Sequence, residues 1–191
     1  ILMIAVFPLN ITILPEETVA LHLFEPRYRQ LYADHKSGKE FVILYQNKGI
    51  NSTHGALVHI EKVIDEFPDG TVDVIVKGVQ VVKILSFEPI MQGKLYSGVE
   101  IEKCKLFTNA SDRLVTSFTN YLTSIQKRAN KPAPHSLYYV ANRLQLSHET
   151  KNELMRITDE KLANTFLINE IRFLRKIREQ EASLNHNFHL N

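Results

Sequence analysis

One cysteine and no tryptophan occur in 191 residues. A lone thiol, Cys104, cannot close an intramolecular disulfide, which excludes a disulfide-stapled fold and fits a reducing, cytoplasmic setting. Glycine is scarce, with seven residues, and none of them cluster. The pattern G-x-x-x-x-G-K-[ST] is absent, so these residues hold no phosphate loop for nucleotide hydrolysis. The G-x-S-x-G elbow of serine hydrolases is absent too. No apolar run approaches the roughly 20 residues of a membrane span. Ile1–Phe7 is apolar but has no basic lead and is too short for a signal peptide.

What is present is a foldable chain. Hydrophobic residues make up 44%, enough for a real core, so disorder is excluded. The length suits one large domain or two small ones. Net charge is +2 but uneven: residues 1–108 carry 11 Lys/Arg against 13 Asp/Glu, and residues 109–191 carry 12 against 8. The first part is therefore slightly acidic, which argues against nucleic acid as its partner.

The pattern changes along the chain. Strand-like stretches occur at 3–7, 19–24, 41–46, 55–67, 71–77, 79–87 and 95–104, with one helix inserted after the second. Asp69-Gly70 between two β-branched runs predicts a hairpin with a type I′ turn, positive φ at both residues. Val72, Val74 and Val76 share one face of the second arm, and Gly78 predicts a bulge or bend. Short strands at this spacing suit a small closed barrel. Residues 110–182 read as helical. Ser111 or Asp112 caps a helix carrying Leu114, Val115, Phe118, Tyr121, Leu122 and Ile125, with Lys127 and Arg128 at its end. Asn130–Pro134 breaks the chain. Ser147 caps a short helix, Thr158 the last and longest one, and the tail from Ser183 shows no periodicity. The expected organisation is α+β, with a β-barrel domain over 1–107 and a helical domain over 108–191.

One stretch stands out. Val19–Phe24 is a strand with an apolar face, Pro26 stops it and starts a helix, and Tyr28, Leu31 and Tyr32 form that helix's stripe. This strand, the run Phe24-Glu25-Pro26-Arg27-Tyr28 and the helix after it resemble the signature of the N-terminal, substrate-binding domain of Lon-type ATP-dependent proteases. Ile4–Leu9 before it resembles that domain's opening strand. Phe41–Tyr45, Gly55–Phe67 and Asp69–Val79 follow in the expected order, and Val140–Ser147 with Lys151–Leu154 resemble the first helices after the barrel. The resemblance covers roughly residues 3–180. It implies a PUA-like β pseudo-barrel followed by a helical bundle, standing alone without ATPase or protease domains. It also implies recognition of polypeptide, either unfolded or tagged chains or a partner protein, in an adaptor or regulatory role in protein turnover. Extended peptide would be held by apolar contacts and by strand addition at an open edge. A second reading follows from the PUA-like barrel, which would bind RNA.

Within the signature, Phe24, Glu25, Arg27 and Tyr28 are the candidate binding residues. They can present a peptide-binding surface, or Glu25 and Arg27 can pin the strand–helix corner, with Glu25 near a helix N-terminus. No catalytic residue, cofactor or metal is expected. His186 and His189 are three apart in an Asn-rich tail with no acidic or thiol partner. His54 and His59 point to opposite faces of one strand, and His22 faces away from the apolar side of its own. Cys104 sits between Lys103 and Lys105, whose charges favour the thiolate, but no protease motif surrounds it. Asp65 and Glu66 are adjacent and diverge on a strand. In Ile171–Glu179, Arg172, Arg175 and Lys176 form a solvated face opposite an apolar stripe of Phe173, Leu174 and Ile177. The chain reads as a binding module without enzymatic or membrane function.

Overall fold

A computed structural model describes residues 3–125 and 136–188, with side chains through 183. The strands are β1 (Ile4–Leu9), β2 (Thr18–Leu23), β3 (Phe41–Asn47), β4 (Ile50–Glu66), β5 (Val72–Glu88) and β6 (Ser97–Lys103). The helices are α1 (Pro26–His35), α2 (Asp112–Ser124), α3 (Leu137–Ala141), α4 (His148–Met155) and α5 (Glu160–Phe188). The chain divides into two compact units, Ile1–Leu106 with Leu146–Arg156, and Phe107–Gln145 with Ile157–Asn191.

In the first unit the sheet order is β2-β5-β4-β3-β1-β6, and β5 also pairs with β6. That extra pairing closes β5, β4, β3, β1 and β6 into a ring and leaves β2 outside it. Within the ring itself closure leaves no open sheet edge, because each strand there pairs on both sides. The ring encloses Val6, Val42, Leu44, Leu57, Val82 and Val99, all fully buried or nearly so. β3 is apolar throughout Phe41–Tyr45 because both its faces are covered. Val42 and Leu44 point into the barrel, and Phe41 meets His35 of α1 edge-on. Phe7 of β1 stacks on Tyr28 of α1, ring centroids 3.6 Å apart. The Pro26 prediction is met: Pro26 is the first helical residue, and Tyr28, Leu31, Tyr32 and His35 form the buried stripe. Burial pushes the His35 pKa below that of a free histidine, and its Nδ1–H donates to the Leu31 carbonyl at 2.8 Å.

Helix α4 lies in the same compact unit as the barrel, although it follows the helical stretch in sequence. Polar bonds explain this. The Thr12 N–H donates to His148 Nδ1 at 3.1 Å, and the Thr12 hydroxyl donates to the His148 carbonyl at 2.8 Å. Tyr45 donates to Glu149 at 2.7 Å. The buried Lys151 pairs with Glu17, where each partner satisfies the other away from water.

The turns differ from expectation. The Asp69-Gly70 hairpin is a three-residue loop over Pro68–Gly70, closed by Phe67 N–H to Thr71 O and Gly70 N–H to Phe67 O, both 2.9 Å. Among its residues only Gly70 has positive φ, +83°. Pro68 sets the second position of a type I turn, and Gly70 supplies the left-handed residue that follows it. Lys48 (φ 49°) and Gly49 (φ 79°) both adopt positive φ, so the two-residue type I′ turn joins β3 to β4 instead. As a result β4 starts at Ile50, five residues before the predicted start at 55.

Gly78 sits at a register shift between β4 and β5, as its position in the apolar run predicted. Its N–H donates to the Glu17 carbonyl at 2.8 Å, and its carbonyl accepts from Glu16 N–H at 2.9 Å. The β1–β2 connection lies so close that a side chain at 78 would collide with the Leu14 carbonyl. The two predicted strands over 71–77 and 79–87 are thus one strand, Val72–Glu88, with a register shift at its glycine.

In the second unit Ser111 caps α2, its hydroxyl accepting from Leu114 N–H at 3.3 Å. Leu114, Phe118 and Tyr121 of α2 are buried, as are Ala163, Leu167 and Ile171 of α5, and the two helices pack together. Asn164 ties them further: its Oδ1 accepts from Ser111 N–H at 2.8 Å and its Nδ2 donates to the Asn109 carbonyl at 3.2 Å. Three expectations are corrected here. Asp159, and not Thr158, caps α5, accepting from Leu162 N–H at 2.9 Å. The tail from Ser183 continues α5 to Phe188 as helix. Phe173 is exposed and does not join the apolar stripe of α5. The break predicted at Asn130–Pro134, and Lys127 and Arg128, lie outside the described residues.

The Gly78 packing yields a direct test. Gly78→Ala is expected to cost about 3 kcal/mol, because backbone atoms must move to admit one methyl group. Urea unfolding checks this, with an alanine at the open, solvent-facing Gly38 as a comparison that strains φ without the collision.

Candidate polypeptide-binding surface

Strands β4 and β5 run past the barrel. β4 pairs with β3 only as far as Val58, and β5 pairs with β6 only from Val82 onward. Beyond those points β4 and β5 form a hairpin arm, and β2 adds to it through Thr18↔Lys77 to Leu23↔Val72. One face of the arm is buried through Val72, Val74, Val76 and Leu23. Helix α1 braces it: Tyr32 donates to the Glu66 carboxylate, and Arg29 donates to the Asp69 carbonyl at 2.8 Å. Burial and the Glu66 carboxylate push the Tyr32 hydroxyl up to about 12. The Thr71 N–H and hydroxyl hold the Asp69 carboxyl below its usual range.

The end of the arm is open, since every residue over 61–70 is exposed. Among them are Ile64 at 52%, Phe67 at 38% and Val63 at 37%. Ile64 occupies a bulge between Val63 and Asp65, which re-aims its side chain. Phe24 stands beside β2 at 60% exposure. The His22 ring lies 5.9 Å from Phe24 and 6.2 Å from Phe67 and so joins them into one exposed aromatic cluster. His22 Nδ1 bonds Asp73 Oδ1 at 2.6 Å. Exposed apolar groups gathered in this way mark contact sites more often than singly scattered ones. The β5–β6 connection also exposes Ile90 and Leu95, but no exposed aromatic ring accompanies them.

The signature residues divide. Phe24 faces solvent, whereas Tyr28 is buried at 5% beneath Phe7, and burial raises its pKa. Glu25 accepts from Arg27 Nε at 2.8 Å, and the Arg27 guanidinium lies 4.5 Å from the Tyr28 ring centroid. Glu25, Arg27 and Tyr28 therefore build the corner that projects Phe24. Sequence reading turned His22 away from the apolar side of its strand but did not count it, Ile64 or Phe67 among the binding residues. The available signal was the hairpin itself, whose tip places apolar residues where no core can reach them.

Other candidate chemistry fares differently. Burial pushes the Cys104 thiol up, with Glu102 adding to it, so the expected lowering by Lys103 and Lys105 is overturned. His54 is lowered by burial and by Arg156 and Lys83. Among the described residues no group of three or more His, Cys, Asp or Glu side chains is placed to hold a metal ion. The side chains of His186 and His189 lie outside the described residues. A cleft of about 280 Å³ lies between the β3–β4 turn and α4, but its Ser52 and Asn152 bond each other at 2.7 Å. Among the described residues no helix is long and apolar enough to cross a membrane.

The sequence matches the model of the ATP-dependent protease La (LON) substrate-binding domain over residues 3–167. The chain belongs to this Lon substrate-binding domain family. A Lon N-terminal domain protein from Xanthomonas campestris has the same fold, with a TM-score of 0.70 at 20% identity, covering 88% of this chain and 98% of that one. The N-terminal domain of the Mycobacterium avium complex Lon protease superposes with a TM-score of 0.66 at 16% identity, covering 89% and 98%. A comparison with curated proteins found no match. The mixed α+β architecture expected from the Lon resemblance is thus the observed one, and this Lon-family domain is a substrate-binding module.

The division of the signature predicts two different outcomes. Phe24→Ser should change stability by less than about 0.5 kcal/mol, as for other exposed sites. Tyr28→Ala should cost about 3 kcal/mol, as for buried aromatic truncations. Urea denaturation followed by circular dichroism checks both.

Proposed function

We propose that this chain binds unfolded or tagged polypeptide without catalysis, as an adaptor or regulator in protein turnover, and that the open end of its arm makes the contact. The supporting observation is the exposed Phe24–His22–Phe67 cluster, held away from the barrel by the corner and by α1. Burying two such rings against apolar side chains contributes about 2–4 kcal/mol toward binding while leaving the partner's bonds intact. Phe24 is the contacting residue of the signature, and Glu25, Arg27 and Tyr28 position it. The surroundings favour polypeptide over RNA: residues 61–77 carry five carboxylates and two lysines, a poor surface for phosphates. A reducing, cytoplasmic setting fits a chain whose one cysteine, Cys104, is half-buried and unpaired by disulfide.

Fluorescence anisotropy with labelled lactalbumin tests this. Reduced, alkylated lactalbumin should bind, and the native form should bind far more weakly. Phe24→Ser with Phe67→Ser should weaken the complex about tenfold without changing the unfolding midpoint. Equal binding of the native form, or an unaffected double variant, would refute the reading.

A further inference from the structure

The arm has an edge with no backbone partner among the described residues. β2 pairs with β5 alone, and among the described residues no other element bonds the backbone of residues 18–23. In an antiparallel pair half of each strand's backbone groups face away from the partner. β2 therefore presents about three N–H and three C=O groups outward. Natural edges are usually blunted by lysine, proline or a bulge. β2 reads Thr-Val-Ala-Leu-His-Leu, without lysine or proline, and its register with β5 runs without a shift. Such an edge accepts an extended strand.

Charge identifies the occupant. Residues 61–77 hold Glu61, Asp65, Glu66, Asp69 and Asp73 against Lys62 and Lys77. Glu16 precedes β2 as a further carboxylate, whereas Glu17 is taken up by Lys151 and Glu25 by Arg27. A second copy of β2 would bring two acidic rims together, which disfavours self-pairing. A segment mixing apolar residues with Lys or Arg meets the apolar cluster and the carboxylates at once.

We propose that the outer edge of β2 takes up an extended, apolar and basic segment of another polypeptide as an added strand. This rests on the polypeptide-binding reading above and specifies how the segment is held. Main-chain bonds to β2 fix its direction and register. Its apolar side chains reach Phe24 and the aromatic cluster, and its basic side chains lie over the acidic arm.

The test uses a fluorescein-labelled nonapeptide that alternates Val or Phe with Lys, in three forms. One is unmodified, and the other two are N-methylated on every second residue in opposite registers. One methylated register removes the N–H groups that would face β2, and the other removes those that face solvent. The first should lose about tenfold or more in affinity and the second less than about threefold, since each lost bond contributes modestly. Replacing Lys by Glu should weaken binding about tenfold. Equal binding of both methylated forms, with Phe24→Ser still weakening them, would overturn strand addition and leave the binding surface standing. Equal binding of the Glu peptide would overturn the basic preference. A concentration-dependent dimer broken by Ala20→Lys would assign the edge to a second copy and overturn the proposal.

Discussion

Strand β5 has to serve two neighbours along one edge, and the β unit is arranged around that demand. Over residues 72–77 it pairs with β2, and from Val82 to Glu88 it pairs with β6. The handover falls at Gly78, where the β1–β2 connection presses its Leu14 carbonyl against the backbone. Only a residue without Cβ lets that connection approach, donate through Glu16 and accept through Glu17. On one side of the glycine the strands close a barrel around Val6, Val42, Leu57, Val82 and Val99. On the other side the same strands leave the barrel and become an arm with an open tip. Core formation and surface display are thus two halves of one ladder.

The arm can stay open because its stability comes from elsewhere. Its inner face is buried, and α1 braces it through Tyr32, Arg29 and the corner made by Glu25, Pro26 and Arg27. The tip therefore need not bury its own apolar side chains. Exposed Phe24, Ile64 and Phe67 carry a hydration cost in the isolated protein that contact with a partner removes. Burial pushes the pKa of the single thiol, Cys104, upward, and Glu102 adds to that shift.

Much of this was legible in the chain. Pro26 at a helix start, the Tyr28–Leu31–Tyr32 stripe, the Val72–Val74–Val76 face and the bulge at Gly78 all follow from local rules, and each is observed. Local rules misplaced the type I′ turn. Asp69-Gly70 carries the stronger motif, but Pro68 before it fixes a type I geometry and moves the positive φ to Gly70 alone. The fate of α4 was not legible, because its attachment depends on Thr12, Glu17 and Tyr45, each more than 100 residues away. Phe173 shows the same limit: helical spacing assigns it to a stripe, but only the position of α2 decides which side of α5 is covered. In the signature run, sequence could not separate Phe24 from Tyr28, since their exposure depends on Phe7 arriving from another strand.

The most direct measurement is amide chemical-shift mapping of the protein titrated with a permanently unfolded polypeptide. If the open end of the arm is the contact, perturbations concentrate at residues 18–24 and 61–73, barrel-core amides at Val6, Val42 and Val99 stay in place, and the polypeptide is recovered at its original mass. Shifts confined to the barrel core or to α2 and α5, or a cleaved polypeptide, would contradict it.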